Sequence, residues 1–530
     1  MRIAQAIIAG LTGLALLLPA LSMAGPTPLS RKVQTRENME GSIPRPDQEK
    51  AAQAKLDALY QKTGKRPNII WLVVDDMGFG DVGGPWGGGA HIGAATPNID
   101  QFAREGLALT STYSQPTCTP TRSAILTGRL PVRTGLTRPI LAGDKLKMNP
   151  WAGETSIAKI LSDAGYYTVL SGKWHVGELE GMRPFDVGFD EYYGYYAAQK
   201  EITQSLDERK YPDLVLDPEK LAAYKSMHAS SALEYGKKGG QEQIIEPTTS
   251  VEQFAEADIK LADWSINKIK TLAKSGKPFF LSHDFMKVHA DNFPSKEFKG
   301  KSASKYPYKD AVVEVDALIG RIHQAVKEAG IEDNTFIFIT SDNGPQMDSW
   351  PDTGFTPFRG GKASAWEGGV RVPGIAYWKG MIQPHESAEL FDLMDLFNTS
   401  IHIAGADARI PTDRFIDGID QSSFLLADNG NSRRENVYIW VEQDLMAMRM
   451  REYKIHFQVT VPEQQWMDID MSTKQKVGLA PWLFNLYIDP REQTPVGHRG
   501  NAWLASMAAE AKAHAATFKK YPPKDVGLGQ

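Results

Sequence analysis

Between residues 68 and 340 the sequence takes turns between short apolar runs and longer amphipathic stretches, and this alternation restricts the fold more than any other feature. The run Asn68-Ile69-Ile70-Trp71-Leu72-Val73-Val74 is apolar from its second position and ends in Asp75-Asp76. Such a run suits a strand buried on both faces, because a strand with one wet face would alternate. A Gly-rich loop follows, then a helix from about Pro97, with Pro in its first turn and Ile99, Phe102 and Leu107 as its apolar face. Helix is expected near 154–164 before a strand at 167–171, near 251–273 before 278–285, and near 309–329 before 335–340. The alternation predicts an α/β fold, a large mostly parallel sheet with helices on both faces. In such sheets ligands collect at the carboxyl ends of the strands. Asp75-Asp76, Gly172-Lys173-Trp174-His175, the segment His283 to His289, and Ser341-Asp342-Asn343-Gly344 all lie at or just past those ends, so they are expected to converge.

The flanks read differently. A charged start (Met1-Arg2), an apolar stretch and Ser22-Met23-Ala24 predict a secretory signal peptide over 1–24, cut after Ala24. An N-terminal extension with a surface helix near 47–62 covers 25–66, the α/β domain 67–430, and a C-terminal subdomain 431–530. That subdomain has short strand-like pieces at 437–441, 453–459 and 482–487 and an Ala-rich helix at 503–518, which predicts a small α+β unit with a short antiparallel sheet. The stretch 180–250 is polar and reads as an irregular insert that sets substrate specificity. A net charge of −5 with no polybasic run gives no signal for nucleic acid or an acidic membrane surface. The reading is a periplasmic or secreted protein without stable membrane insertion.

Cys118 is the only cysteine of the 530 residues, so it closes no internal disulfide and its value lies in its own chemistry. It opens Cys118-Thr119-Pro120-Thr121-Arg122, where Pro and Arg at those offsets would follow a random cysteine roughly once in four hundred. Pro120 suits the first turn of a helix, and Arg122, about one turn on, returns to the face of residue 118.

This pentapeptide resembles the signature of the type I sulfatases of the alkaline phosphatase superfamily, in which the cysteine is oxidised to Cα-formylglycine. Five further segments are similar in the same order: Asp75-Asp76-x-Gly-x-Gly-Asp with Thr96-Pro97-Asn98-Ile99-Asp100; Thr127-Gly128-Arg129; Gly172-Lys173-Trp174-His175-x-Gly177; Ser341-Asp342-Asn343-Gly344; and Gly361-Lys362 to Arg371. The likeness spans about 67–373 and implies a bacterial arylsulfatase-like hydrolase of sulfate monoesters, matured by a formylglycine-generating or equivalent enzyme.

Asp75, Asp76, Asp342 and Asn343 offer only oxygen ligands, the choice of Ca²⁺ or Mg²⁺ and not of zinc. The resemblance implies Ca²⁺; ligand type leaves Mg²⁺ open. A thiolate matches such a hard site poorly. Formylglycine in place of Cys118 would add an oxygen ligand and a geminal diol, one hydroxyl to attack sulfur and the other to collapse the adduct. The resemblance further implies Arg122 on the diol, Lys173 and Lys362 on sulfate oxygens, His175 as base, and His289 as acid on the bridging oxygen. The family usually shows Pro-His-x-Pro where this chain has Val288-His289-Ala290-Asp291, so His283 stays open as an alternative.

Two rivals remain at this point: a phosphomonoester or phosphonate monoester hydrolase on the same scaffold, and a non-catalytic binder of sulfated glycans with an unmodified Cys118. Aryl, steroid and carbohydrate sulfates are all open as substrates. Tyr192, Tyr193, Tyr195, Tyr196 and Pro85-Trp86-Gly87 are candidates to flank an aryl or sugar ring.

Overall fold

The computed structural model describes residues 29–141, 144–227, 232–347, 352–460, 474–478 and 480–528. The expected signal peptide lies outside them. The main sheet contains β1 (Asn68–Val74), β2 (Leu107–Tyr113), β3 (Tyr167–Lys173), β4 (Glu191–Tyr195), β5 (Ala232–Lys237), β6 (Gln243–Pro247), β7 (Phe279–Asp284), β8 (Thr335–Ser341), β9 (Arg371–Tyr377) and β10 (His385–Ser387), with β11 (Phe391–Asp392) added on β2. Their order is β10-β2-β9-β8-β1-β7-β3-β4-β5-β6.

β1 lies between β7 and β8 and is parallel to both, with Leu72 opposite His283 and Ile339. Every β1 residue is buried. Ile69, Trp71 and Val73 enter one core, Ile70, Leu72 and Val74 the other, which is why the run lacks alternation. The second core is covered by the helices Pro97–Glu105, Ala257–Ser275 and Pro307–Glu328 through Phe102, Ile269 and Val315 among others. On the first face lie the helices Pro46–Thr63, Ile157–Asp163 and Asp395–Ile403.

The sheet is mixed, because β9 is antiparallel to both β2 and β8. The pairings β1–β7, β1–β8, β3–β7 and β3–β4 are parallel. β2 (Leu-Ala-Leu-Thr-Ser-Thr-Tyr) escaped the sequence reading because its hydroxyl residues break the apolar run, although Ser111 and Thr112 are buried.

The stretch read as irregular also departs from expectation. β4 extends the sheet parallel to β3, and β5 and β6 follow antiparallel. Its tyrosines are packing residues: Tyr192 stacks on Tyr196 at 5.2 Å and Tyr193 on Trp264 at 5.4 Å, while Tyr195 meets Phe254 edge-on at 5.6 Å. Trp86 is buried as well.

The C-terminal part forms an antiparallel sheet of β12 (Asn436–Val441), β13 (Asp444–Met450), β14 (Tyr453–His456) and β17 (Trp482–Asn485), beside the pair β15 (Gln458–Thr460) and β16 (Lys474–Lys476). The helix Asn501–Lys520 covers it through Met507 and Phe518. Lys454 on β14 docks this unit onto the large one, with its Nζ 3.0 Å from Glu367 Oε1 and 3.1 Å from Glu492 Oε1. No described helix is long and apolar enough to cross a membrane.

Near the end of Asp395–Ile403, His402 Nδ1 lies 3.0 Å from Asp407 Oδ1. Burial would lower this imidazole, but the bond to Asp407, with Asp420 nearby, raises it to about 9. Because the folded value exceeds the ordinary one of about 6.5, the stabilisation is complete below that pH and is lost as the pH climbs through about 9. His402→Gln should therefore lower the thermal midpoint relative to the parent at about pH 6 and converge with it at about pH 10. A constant difference across that interval would refute the linkage.

Candidate active site

The carboxyl ends of the parallel strands supply most of the site. Asp75 and Asp76 follow β1, Lys173 ends β3 with His175 two residues on, His289 lies in the loop after β7, and Asp342 and Asn343 follow β8. Lys362 comes from the segment before β9. Cys118 is the first residue of the helix Cys118–Thr127, which is buried throughout and ends at Gly128 in the left-handed conformation.

Close strand approach is a condition of this convergence. Gly172 has φ +109, and a Cβ there would sit 1.8 Å from the Asp284 carbonyl oxygen. Asp76 (φ 60) and His175 (φ 56) are two of the few non-glycine residues in the left-handed region. Backbone strain of this kind persists where surroundings over-determine it and gathers at functional sites.

Arg122 holds the centre together. Its Nε and Nη2 donate to Asp342 Oδ2 at 3.1 and 2.9 Å, and Nη1 donates to Asp284 Oδ2 at 2.8 Å and to the Lys173 carbonyl at 3.0 Å. Lys173 Nζ donates to Asp75 Oδ2 at 2.6 Å, and Lys362 Nζ to Asp76 Oδ2 at 2.7 Å. The Asp76 N–H donates to Asp342 Oδ1 at 3.1 Å, and Asn343 Nδ2 to Asp76 Oδ1 at 2.7 Å. Burial would raise Asp76, yet Lys362, His289 and Lys173 hold it below the usual carboxylate range. Asp342 goes the other way, pushed up by burial and by Asp75 against Arg122.

The donor set fits a hard cation. One ligand atom each from Asp75, Cys118 and Asp342 lies within 4.8 Å of the others, and all three residues are buried. Asp75 Oδ1 and Asn343 Oδ1 are buried acceptors without a hydrogen-bond donor. Such orphans are costly unless something cationic or protic fills the space between them. Burial pushes the Cys118 thiol up, and Asp75 and Asp342 add to this against Lys173 and Lys362.

The two histidines are set in opposite tautomers. His175 Nε2 lies 3.0 Å from the Ile140 carbonyl, which only accepts, so Nε2 carries the proton; Nδ1 is buried without a partner. His289 Nδ1 faces the Ala290 carbonyl and carries the proton there, leaving Nε2 open, 3.6 Å from Asp76 Oδ2. Burial, with Lys173 and Arg122 adding, pushes His175 far down; burial and Lys362 bring His289 to about 3. His283 is not brought to this site. Its Nδ1 lies 2.8 Å from Ser265 Oγ, and its ring packs edge-on against Phe285 at 4.3 Å.

Asp284 is the residue that the sequence reading missed. Burial raises it to about 6 against the pull of Arg122. Its signal was available, since it ends the apolar strand β7 next to β1, but it stands alone between His283 and Phe285 in a segment that sequence reasoning read for its histidines.

A model of the family described as Sulfatase matches residues 67–406, and one described as the C-terminal region of aryl-sulfatase matches 432–525. The chain belongs to the sulfatase family. N-acetylgalactosamine-6-sulfatase of Canis lupus familiaris is 32% identical over 463 residues, covering 83% of each chain. Arylsulfatase A of Bos taurus is 32% identical, covering 80% of this chain and 82% of its own. The crystal structure of PsFucS1 sulfatase from Pseudoalteromonas sp. superposes with a TM-score of 0.90 at 49% identity, covering 94% of this chain and all of its own. This sulfatase is therefore a sulfuric ester hydrolase of the alkaline phosphatase superfamily, with a buried Asp75-Cys118-Asp342 group able to hold a metal ion.

Proposed function

We propose that this sulfatase cleaves sulfate monoesters to alcohol and inorganic sulfate with a formylglycine made from Cys118 beside a divalent cation, Ca²⁺ before Mg²⁺. The observation that carries this reading is the position of Cys118 among oxygen ligands, within 4.8 Å of Asp75 and Asp342 and at a helix start. Asp75, Asp76, Asp342, Asn343 and the oxygen replacing the sulfur of residue 118 would hold the ion. The ion would supply positive charge to the sulfate oxygens, and formylglycine an oxygen nucleophile in hydrated form.

The chain's own residues then have distinct tasks. Lys173 and Lys362 each use one N–H on an aspartate, which leaves donors to grip sulfate oxygens as preorganised charge. Arg122 orients residue 118. His175 Nδ1, the unprotonated nitrogen, takes the proton released at residue 118. His289 Nε2 takes up a proton from water when the bound sulfate's negative charge offsets Lys362, and gives it to the leaving oxygen as the S–O bond breaks. Relatives named for N-acetylgalactosamine-6-sulfate and a structural neighbour solved with k-i-k-neocarrahexaose, at 24% identity and sharing the fold alone, support a glycan or small sulfate ester as substrate. The leader-like residues 1–24 support export to the periplasm or medium, where maturation of Cys118 requires a formylglycine-generating or equivalent enzyme.

Peptide mass spectrometry of the Cys118 fragment, on enzyme made with such a maturase, tests this together with sulfate release from an aryl sulfate. Turnover by protein whose residue 118 is wholly thiol would overturn it. His289→Ala should lower kcat by about 10²–10⁴, most for alcohols that leave poorly. His283→Ala should change the thermal midpoint and leave kcat within a few fold, and the reverse result would exchange the roles.

A further inference from the structure

Asp284 touches none of the oxygens grouped around Cys118. Its Oδ2 accepts from Arg122 Nη1 at 2.8 Å and its Oδ1 from Ser282 Oγ at 2.6 Å, and its side chain is 6% exposed. Arg122 is thus hydrogen-bonded to two carboxylates, Asp342 on the Nε side and Asp284 on the Nη1 side, with Asp75 Oδ1 a looser 4.0 Å from Nη2. Asp342 alone would already pair the guanidinium, so the second carboxylate is charge beyond what holding Arg122 needs.

With Asp284 the site has four carboxylates (Asp75, Asp76, Asp284, Asp342) against three fixed cations (Arg122, Lys173, Lys362), all buried. A divalent ion turns this shell from one net negative charge to one net positive charge. A sulfate monoester carries one negative charge and balances it. A phosphate monoester above its second pKa of about 6 carries two and does not. The absolute balance depends on the ion and on protons held by the histidines, but the difference between the two esters is one charge in any protonation state of the shell.

We propose that Asp284 is a specificity-determining residue, whose fixed negative charge behind Arg122 makes the pocket favour monoanionic sulfate esters over dianionic phosphate esters. This rests on the sulfate-ester reading of the same site. In a buried site, removing one unit charge shifts the relative binding of two anions that differ by one charge by about tenfold or more.

The test compares two isosteric, unreactive anions, benzylsulfonate (one charge) and benzylphosphonate (two charges at about pH 8.5). Their dissociation constants are measured by calorimetry on the cation-loaded enzyme and on Asp284→Asn, alongside kcat/KM for an aryl sulfate and the matching aryl phosphate. Asp284→Asn keeps a carbonyl to accept from Arg122. Both ratios should move toward the phosphorus compound by about tenfold. Ser282→Ala, which frees the carboxylate without neutralising it, should leave the binding ratio unchanged. Equal losses for both anions in Asp284→Asn would make Asp284 a positioning residue only and overturn the proposal, as would a ratio shift in Ser282→Ala of the same size. Wild-type enzyme that binds neither anion and releases no sulfate would overturn the underlying reading along with it.

Discussion

Cys118→Ala should abolish sulfate release, by a factor on the order of 10⁵ or more, while leaving the fold and the anion pocket in place. The loss is large because no other described side chain within the Asp75-Cys118-Asp342 group offers a nucleophile; its remaining members are carboxylates already engaged with Lys173 and Arg122. The fold survives because the change removes one sulfur atom from the first turn of a helix whose Arg122 and Gly128 anchors stay intact. Benzylsulfonate should still bind the variant, since Lys173 and Lys362 keep their places. Initial rates of sulfate release and a calorimetric titration check both halves. Residual turnover above about one part in a thousand of wild type would show that residue 118 is not the nucleophile.

Lys454→Met should cost about 3–5 kcal/mol of stability, because it strips the shared cation from two buried carboxylates. Lys454 is fully buried and bridges Glu367 and Glu492; Glu492 in turn accepts from the Glu367 N–H at 2.7 Å and meets His456 Nε2 at 2.6 Å. Burial would raise Glu367, but Lys454, Arg371 and Arg449 hold it well below the usual carboxylate range. Without Lys454, two arginines remain near Glu367, at 3.3 and 3.9 Å, and Glu492 keeps only His456 as a potential cation among the described ion pairs. The midpoint of thermal unfolding should fall by about 3–5 °C for a chain of this length. Adding Glu492→Gln should recover part of the loss, a coupling that a double-mutant cycle measures. A fall of under about 1 kcal/mol would mean that water enters the network and screens it.

The same network has a functional reach. Glu367 starts the short helix Glu367–Val370, five residues after Lys362, so loosening the C-terminal unit should also disturb the lysine on Asp76. The two units of the chain are thus joined through the segment that also carries Lys362.

Local patterns were enough for much of this molecule. The unbroken apolar run of β1 announced burial on both faces, and the observed strand has the expected limits because Asp75 and Asp76 cannot continue such a run. The helix starting at Cys118 and the grouping of Asp75, Asp76, Lys173, Asp342 and Lys362 followed from motifs that each keep their chemistry within a few residues. β2 did not show itself, since a strand that buries Ser and Thr pays for it with partners that sequence periodicity does not reveal, and β9 (Arg-Val-Pro-Gly-Ile-Ala-Tyr) was hidden by the Pro-Gly pair that breaks its run. The tyrosines in and just after β4 illustrate the same limit: aromatic residues look alike in sequence whether they face a ligand or, like Tyr192 and Tyr196, each other.

What needed the folded chain were the relations across strands. His283 and His289 differ in sequence by six positions, but strand pleat turns one under a helix and the loop after β7 carries the other to Asp76. Tautomers followed from which nitrogen meets a carbonyl, and the role of Asp284 from Arg122 lying between two carboxylates far apart in the chain. Residue type and spacing carry the chemistry a side chain can do. Which partner it does that chemistry with depends on distances between distant segments, and those are set by how the sheet packs.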